Sequence, residues 1–216
     1  MEARMRKAIV FINGDLADLS RVRNLITKDT LLVGCDGGAA HILSLGLTPH
    51  VVIGDFDSIS QRAMRALEQK GVELIKYPRD KLYTDSELGV DLAAKRGCRE
   101  IIITGVRGTS TDHLVGNLFM LAKKKFAHLS LRIIEGNEEI VLVRKYVRIN
   151  GKKGDIVSLI PARGDARGIT TRGLFYSLKD ATIKAGSSRA LRNSLTGKRA
   201  VVSLRGGALL VVHQRT

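Results

Sequence analysis

The stretch VVIGDFDS, residues 51–58, decides how this chain is read. Three β-branched residues run into Gly54, and two carboxylates, Asp55 and Asp57, follow at once. A short Val/Ile run closed by glycine reads as a buried strand, and the acids mark where it ends. The same pattern recurs through the first 136 residues. KAIVFI (7–12), LLVGC (31–35), VELIKY (72–77), EIIITG (100–105) and LRIIEG (131–136) predict further strands. Between them 16–27, 38–46, 59–70, 84–96 and 112–125 carry helical spacing. The fourth of these opens with Thr84-Asp85-Ser86-Glu87, a helix N-terminus with acids in its first turn. Strand–helix alternation predicts an α/β N-terminal domain, residues 1–136, with a mainly parallel sheet in Rossmann-like layers.

Beyond Gly136 the pattern changes. EIVLVR, YVRI, DIVSLI, ATIKAG, AVVSL and ALLVV are short strands separated by Gly, Asn and Asp turns, with no helix of consequence. Residues 137–216 are expected to form an all-β sandwich or barrel domain.

Composition narrows the function classes. At 216 residues and 44% hydrophobic content the chain can bury a real core, which excludes disorder. No run reaches the roughly 18 apolar residues of a membrane span, and the N-terminal stretch lacks a signal-peptide pattern, so a cytoplasmic protein is expected. Cys35 and Cys98 form no CxxC and read as reduced core residues, neither a disulfide nor a zinc site. The formal charge of +15 is unevenly placed: residues 1–136 carry 20 Lys and Arg against 16 Asp and Glu, whereas residues 137–216 carry 16 against 5. With no RNP signature, no Cys/His finger and 4% aromatics, nucleic acid is not the expected partner.

Acids collect where the strands end. LLVGCDGG delivers Asp36, VVIGDFDS delivers Asp55 and Asp57, the turn after VELIKYP leads to Asp85, and EIIITG leads to Asp112. In an open parallel sheet ligands sit outside the carboxyl ends of the strands. Any one of these could cap a helix, but five at successive strand ends point to a cation. Mg²⁺ takes one or two carboxylates plus substrate phosphates, so a Mg²⁺-dependent phosphate site is expected. Gly37, Gly38, Gly54, Gly105 and Gly108 stand where backbone N–H groups could approach a polyphosphate. Neither a P-loop nor GxGxxG is present, which excludes a Walker-type ATPase and an ordinary dinucleotide dehydrogenase.

DGGAAHILSLGLTPHVVIGDFDS (36–58), TDSEL (84–88), TDHLVGN (111–117) and GLFYSLKDATIKAGSSRALRN (173–193) together resemble thiamin pyrophosphokinases, in the same order and over most of the chain. The resemblance implies an α/β domain that binds ATP and Mg²⁺, and a β-sandwich that completes the thiamin site. It also implies a homodimer with a shared site, and transfer of the β,γ-pyrophosphoryl group of ATP to thiamin with release of AMP. By the same resemblance Asp55, Asp57 and Asp85 are the catalytic and metal-binding carboxylates, with Asp57 or Asp85 placed to help take the hydroxyl proton. Asp36, Gly37 and Gly38 shape the nucleotide end, Asp112 holds substrate or orders its loop, and Asn117 bonds in the same region. His113 is either structural or catalytic.

Some positions depart from the family. An arginine expected before the Asp112-His113 pair is absent, leaving Arg107 or Lys81 to neutralise phosphate. With no tryptophan in the chain, Phe175 or Tyr176 must stack on a thiamin ring. Arg192-Asn193 stands where a Ser-Asn pair is common, with Asn193 facing the acceptor. Two other readings remain open at this point: a pyrophosphokinase for another acceptor such as a hydroxymethyl pterin, and a non-catalytic nucleotide or RNA binder.

Overall fold

A computed structural model describes residues 6–16, 18–57, 59–108 and 110–216. The chain divides into two compact units, Met1–Gly136 and Asn137–Thr216.

In the first unit the apolar runs are strands: β1 (Lys7–Phe11), β2 (Thr30–Cys35), β3 (Val51–Gly54), β4 (Glu73–Lys76), β5 (Glu100–Thr104) and β6 (Ser130–Glu135). They lie in the order β6-β5-β1-β2-β3-β4, and every neighbouring pair is parallel. The helices are α1 (Ser20–Arg23), α2 (Gly38–Ser44), α3 (Gln61–Gln69), α4 (Asp85–Lys95) and α5 (Thr111–Met120). Strand parity sorts them onto the sheet. Ile9, Phe11 and Leu32 share a core with Ile42 of α2, and Val52 shares one with Ala39 of α2 and Leu67 of α3. The alternate residues face α4, where a Cβ on Gly89 would stand 2.7 Å from Cys35 Sγ and 2.9 Å from Val10 Cγ1. Both faces are therefore covered, and this is why the strands read as unbroken apolar runs. Each fully buried Ile or Val contributes about 1.5–3 kcal/mol of apolar burial.

Side-chain caps set two helix starts: Ser60 accepts from Ala63 N, and Thr84 accepts from Glu87 N. Two expected helices are shorter than their spacing suggested. Within 16–27 only Ser20–Arg23 is α-helical. Leu16, Leu19, Leu25 and Ile26 still pack on the β1–β2 core, so the spacing reported burial that turns also satisfy. The helix expected over 112–125 ends at Met120, and Lys124–Phe126 is a 3₁₀ turn.

The second unit is wholly antiparallel. Its strands are β7 (Glu138–Val143), β8 (Tyr146–Asn150), β9 (Ile156–Pro161), β10 (Ala166–Arg172), β11 (Ala181–Ile183), β12 (Asn193–Ser194), β13 (Arg199–Ser203) and β14 (Leu209–Gln214). They run β12-β9-β14-β7 and β11-β10-β13-β8. One core cluster draws Val157, Leu159, Leu209 and Val211 from the first set and Ile149, Ile169, Ala200 and Val202 from the second, which makes a sandwich. β10 and β12 are absent from the sequence reading. β10 carries a register shift between Ala166 and Ile169 that hides its alternation, and β12 is two residues long.

At the start of β9, Asp155 is buried and fully bonded. It accepts from Lys152 N at 3.1 Å, Thr216 N at 3.2 Å and His213 Nε2 at 3.0 Å. Burial pushes this carboxyl up, but those donors outweigh it and hold it at about 2. Among the described residues no helix is long and apolar enough to cross a membrane.

Candidate active site

The carboxyl ends of β2 and β3 place their acids differently. Asp36 follows β2 in a left-handed conformation (φ 46°), and its N–H donates to Ile53 O at 2.8 Å. The carboxylate lies over the next strand end: a Cβ on Gly54 would stand 1.6 Å from Asp36 Oδ1. Gly54 is thus required by this close approach. Asp85, the first residue of α4, comes to the same place. Burial, and next the Asp85 carboxyl, push Asp36 up to about 7, against a hydrogen bond from Phe56 N.

Asp85 has two unlike oxygens. Lys81 Nζ lies 3.0 Å from Oδ2, and both side chains are mostly enclosed. Oδ1 is buried with no hydrogen-bond partner. Burial pulls the Lys81 ammonium down, but the Asp85 bond and the charges of Asp85, Asp55 and Asp36 outweigh it and raise the group. The result is a crowded acidic pair with one cation on one side and an unsatisfied oxygen on the other.

Asp55 and Asp57 sit outside that pair. Asp55 is half-buried and accepts from Asp57 N at 3.1 Å, which holds it below the ordinary carboxylate range. Asp57 lies 4.0 Å from Arg79 at an exposed position. The structure therefore gathers Asp36, Asp85 and Lys81, with Asp55 in electrostatic reach, and leaves Asp57 with Arg79. Among the described residues no three His, Cys, Asp or Glu side chains are arranged to hold a metal.

A cleft of about 900 Å³ opens beside the pair, lined by Asn13, Asp36, Lys81, Asp85, Ser86 and Asn117 among others. Its floor joins two of the sequence motifs: Ser86 Oγ donates to Asn117 Oδ1 at 2.8 Å, and Thr84 Oγ1 lies 2.9 Å from Ser86 Oγ. Asn117 is buried there, so its acceptor oxygen serves α4 rather than a ligand. Asp112 and His113 line the same cleft. The Asp112 carboxylate is taken up locally, accepting from Ser110 Oγ and from His113 N, which hold it below its ordinary range.

Two further glycines serve close packing. A Cβ on Gly37 would meet Asn13 Oδ1 at 1.9 Å, and one on Gly38 would meet Phe11 O at 2.0 Å, so both permit close packing of β1 on the α2 start. Arg107 contributes its carbonyl, which accepts from Asp15 N at 2.5 Å. Gly105 does not offer its N–H to a ligand: Gly105 N and Val106 N both donate to buried Glu135 Oε2, at 3.0 and 2.9 Å. Glu135 is absent from the sequence reading, although its signal was visible as the acid closing the apolar run LRIIE.

In the second unit Phe175 and Tyr176 are both exposed and meet edge to face, with ring centroids 4.9 Å apart. Asn193 holds them. Its Oδ1 accepts from Tyr176 N at 3.0 Å and from Ser194 N at 2.9 Å, and its Nδ2 donates to Tyr176 O at 2.7 Å. Buried and so bonded, the Asn193 amide shapes the aromatic loop. Arg192 is left-handed (φ 54°), and its N–H donates to Ser158 Oγ at 2.9 Å.

Comparison with known proteins follows the same division. Residues 22–133 match the thiamin pyrophosphokinase catalytic domain, and residues 140–209 match the thiamin pyrophosphokinase vitamin B1 binding domain. A thiamine pyrophosphokinase of Bacillus subtilis is 30% identical over 187 residues, covering 86% of this chain and 87% of that protein. The crystal structure of the Bacillus subtilis thiamine pyrophosphokinase superposes with a TM-score of 0.87 at 26% identity, covering 97% of this chain and 99% of that one. The Geobacillus thermodenitrificans thiamin pyrophosphokinase gives 0.83 at 25% identity, covering 96% and 97%.

Proposed function

Since this chain belongs to the thiamin pyrophosphokinase family, we propose that it makes thiamin diphosphate and AMP from thiamin and ATP. The observation that carries the reading is the Asp36–Asp85 pair beside Lys81, with Asp85 Oδ1 buried and unbonded in an open cleft. Such crowding is costly in an empty protein and favourable around a cation and a polyphosphate.

The residues present fit Mg²⁺. The orphaned Asp85 Oδ1 and a neighbouring carboxyl held near neutrality are what a dication would satisfy. We assign the metal to Asp85 and Asp55, with Asp36 beside them and Asp57 at the outer edge with Arg79. When bound, Mg²⁺ supplies neutralisation of phosphate charge. Lys81 sits where it can hold a phosphate oxygen as well as Asp85.

In the reaction the hydroxyethyl oxygen of thiamin forms a bond to the β-phosphorus. The bond from that phosphorus to the α,β-bridging oxygen breaks, and AMP leaves with the electron pair. The hydroxyl proton passes to a carboxylate of the strand-end set. Positioning and charge account for most of the catalysis of such a transfer.

We read the parallel layers of the first unit as the nucleotide-binding, Rossmann-like part. The exposed Phe175–Tyr176 pair in the second is read as the stacking surface for thiamin. The working protein in this reading is a cytoplasmic homodimer with a shared site. The test is incubation with ATP, Mg²⁺ and a panel of acceptors containing thiamin and a hydroxymethyl pterin, resolving AMP from ADP. AMP and thiamin diphosphate should form in equal amounts. ADP with thiamin monophosphate would overturn the reaction type, and turnover of the pterin alone would overturn the acceptor.

A further inference from the structure

A buried carboxylate outside the acidic pair holds one wall of the cleft. Glu135 closes β6 and is buried to 6% exposure, yet its Oε2 accepts from two consecutive backbone amides, Gly105 N and Val106 N. Consecutive N–H groups turned to one point form an anion-binding nest, and here the anion comes from the chain itself. Hydrogen bonds to an ionised acceptor are about twice as strong as neutral ones. Two buried donors would otherwise go unsatisfied.

The loop so held, residues 105–108, contributes Gly105, Val106 and Gly108 to the cleft. Its other side is locked to the turn after β1. A Cβ on Gly105 (φ +78°) would stand 2.3 Å from Ile12 O, and one on Gly14 would stand 2.1 Å from Arg107 O. His41 Nε2 bonds Gly14 O at 2.8 Å. With the backbones already touching on that side, displacement of the loop can only be toward Glu135 or into the cleft. The Glu135 carboxylate decides which.

We propose that Glu135 is a positioning residue for the transfer reaction: it fixes loop 105–108 as a wall of the cleft and closes that loop's nest to substrate phosphate. The inference rests on the cleft being the site of the reaction. Phosphate is thereby directed to the Lys81 side of the cleft, where a lysine stands among Asp36, Asp55 and Asp85.

The test compares the wild type with Glu135→Ala and Glu135→Gln, measuring kcat, the KM for ATP and for thiamin, melting temperature, and exchange of the Gly105 and Val106 amide protons. Gln keeps an acceptor oxygen of the same reach, so it should retain at least about a third of wild-type kcat with both amides still protected. Ala should speed exchange of the two amides at least tenfold. It should also lower kcat tenfold or more in protein that remains folded by circular dichroism. A KM for thiamin within threefold of wild type would accompany that loss, because the proposed role of the loop is toward phosphate. If Glu135→Ala merely melts earlier, and its folded fraction turns over like wild type, the positioning role is wrong. Should Gln fail as badly as Ala with its amides protected, the carboxylate charge acts directly and the positioning role is again wrong. A wild type that makes no thiamin diphosphate would overturn the reaction assignment itself, a result separable from both by its independence of residue 135.

Discussion

Asp36 in the first unit and Asp155 in the second are carboxylates withdrawn from solvent to different ends. Asp155 is the more deeply buried, yet it is held at about 2 because Lys152 N, His213 and Thr216 N all donate to it. Asp36 is pushed up to about 7 by burial and next by its neighbour Asp85, another carboxyl, whose Oδ1 has no donor, so the burial is not outweighed as it is by the donors to Asp155. Burial alone therefore does not mark a functional acid. The supply of donors does: a satisfied carboxylate ties a chain end down, and an unsatisfied pair waits for a cation.

The largest expected effect breaks the unsatisfied member. Asp85→Asn should lower kcat roughly 100-fold or more, the scale of losing one group that stabilises charge in a transition state. The metal-free protein should melt no lower than wild type, since the change relieves repulsion. The pH dependence has a definite sign. A carboxyl raised from 3.8 to about 7 in the fold contributes stability that is present below about pH 4 and lost as pH rises toward 7. The advantage of Asp85→Asn in melting temperature should therefore be larger at pH 8 than at pH 4, both measured in chelator. Equal melting curves at the two pH values, or a variant that loses activity only by unfolding, would make Asp85 a structural acid like Asp155.

The satisfied member should behave oppositely. Asp155→Ala leaves the buried His213 Nε2 and two part-buried backbone N–H groups without an acceptor and should cost about 3 kcal/mol of stability, with kcat of the folded protein unchanged. Here the folded value is depressed, from 3.8 to about 2, so the stability is present above pH 4 and lost as pH falls toward 2. That shift corresponds to about 2–3 kcal/mol at roughly 1.4 kcal/mol per unit. Denaturant titrations at pH 7 and pH 2.5 should show the gap between wild type and variant narrowing in acid. A gap that stays constant would mean that packing, not the carboxylate, is what Asp155 contributes.

The two acids also show what the sequence could and could not disclose. Strands buried on both faces are unbroken apolar runs, so β2, β3 and β5 and the acids that follow them were legible. Which acids meet was not. Asp36 and Asp85 are brought together by the β2–β3 register and the start of α4, whereas Asp112, in a similar strand-end setting, is taken up by Ser110 and His113 within its own turn. Aspartate serves both ends with the same local signature, so only the fold separates them. Glycines are ambiguous for a related reason: Gly37, Gly38 and Gly54 admit neighbouring protein atoms as readily as a phosphate would require. Glu135 and Asp155 went unnoticed because an isolated acid in an apolar run announces its burial but not its partners.

Asn193 extends the comparison to a neutral side chain and carries the smallest expected effect. It is buried like Asp155 and bonded as fully, with two accepted N–H groups and one donated bond, all to backbone. By the rule drawn from the acids it should be structural, although its position in the thiamin-binding part of the family pattern suggests contact with the acceptor. Removing it frees Tyr176 N and O, which can turn to water at an exposed loop, so Asn193→Ala should cost only about 1 kcal/mol. The Phe175–Tyr176 pair would then lose its fixed edge-to-face geometry. The KM for thiamin should rise about threefold to tenfold while the KM for ATP stays within twofold. Asn193→Asp separates the two roles, because a carboxylate still accepts from Tyr176 N and Ser194 N but cannot donate to Tyr176 O. Structural action predicts that Asp recovers part of the thiamin KM, since two of three bonds survive. Direct contact through the Asn193 Nδ2 group predicts that Asp is as poor as Ala, and that result would return Asn193 to the acceptor site and limit the donor-supply rule to charged side chains.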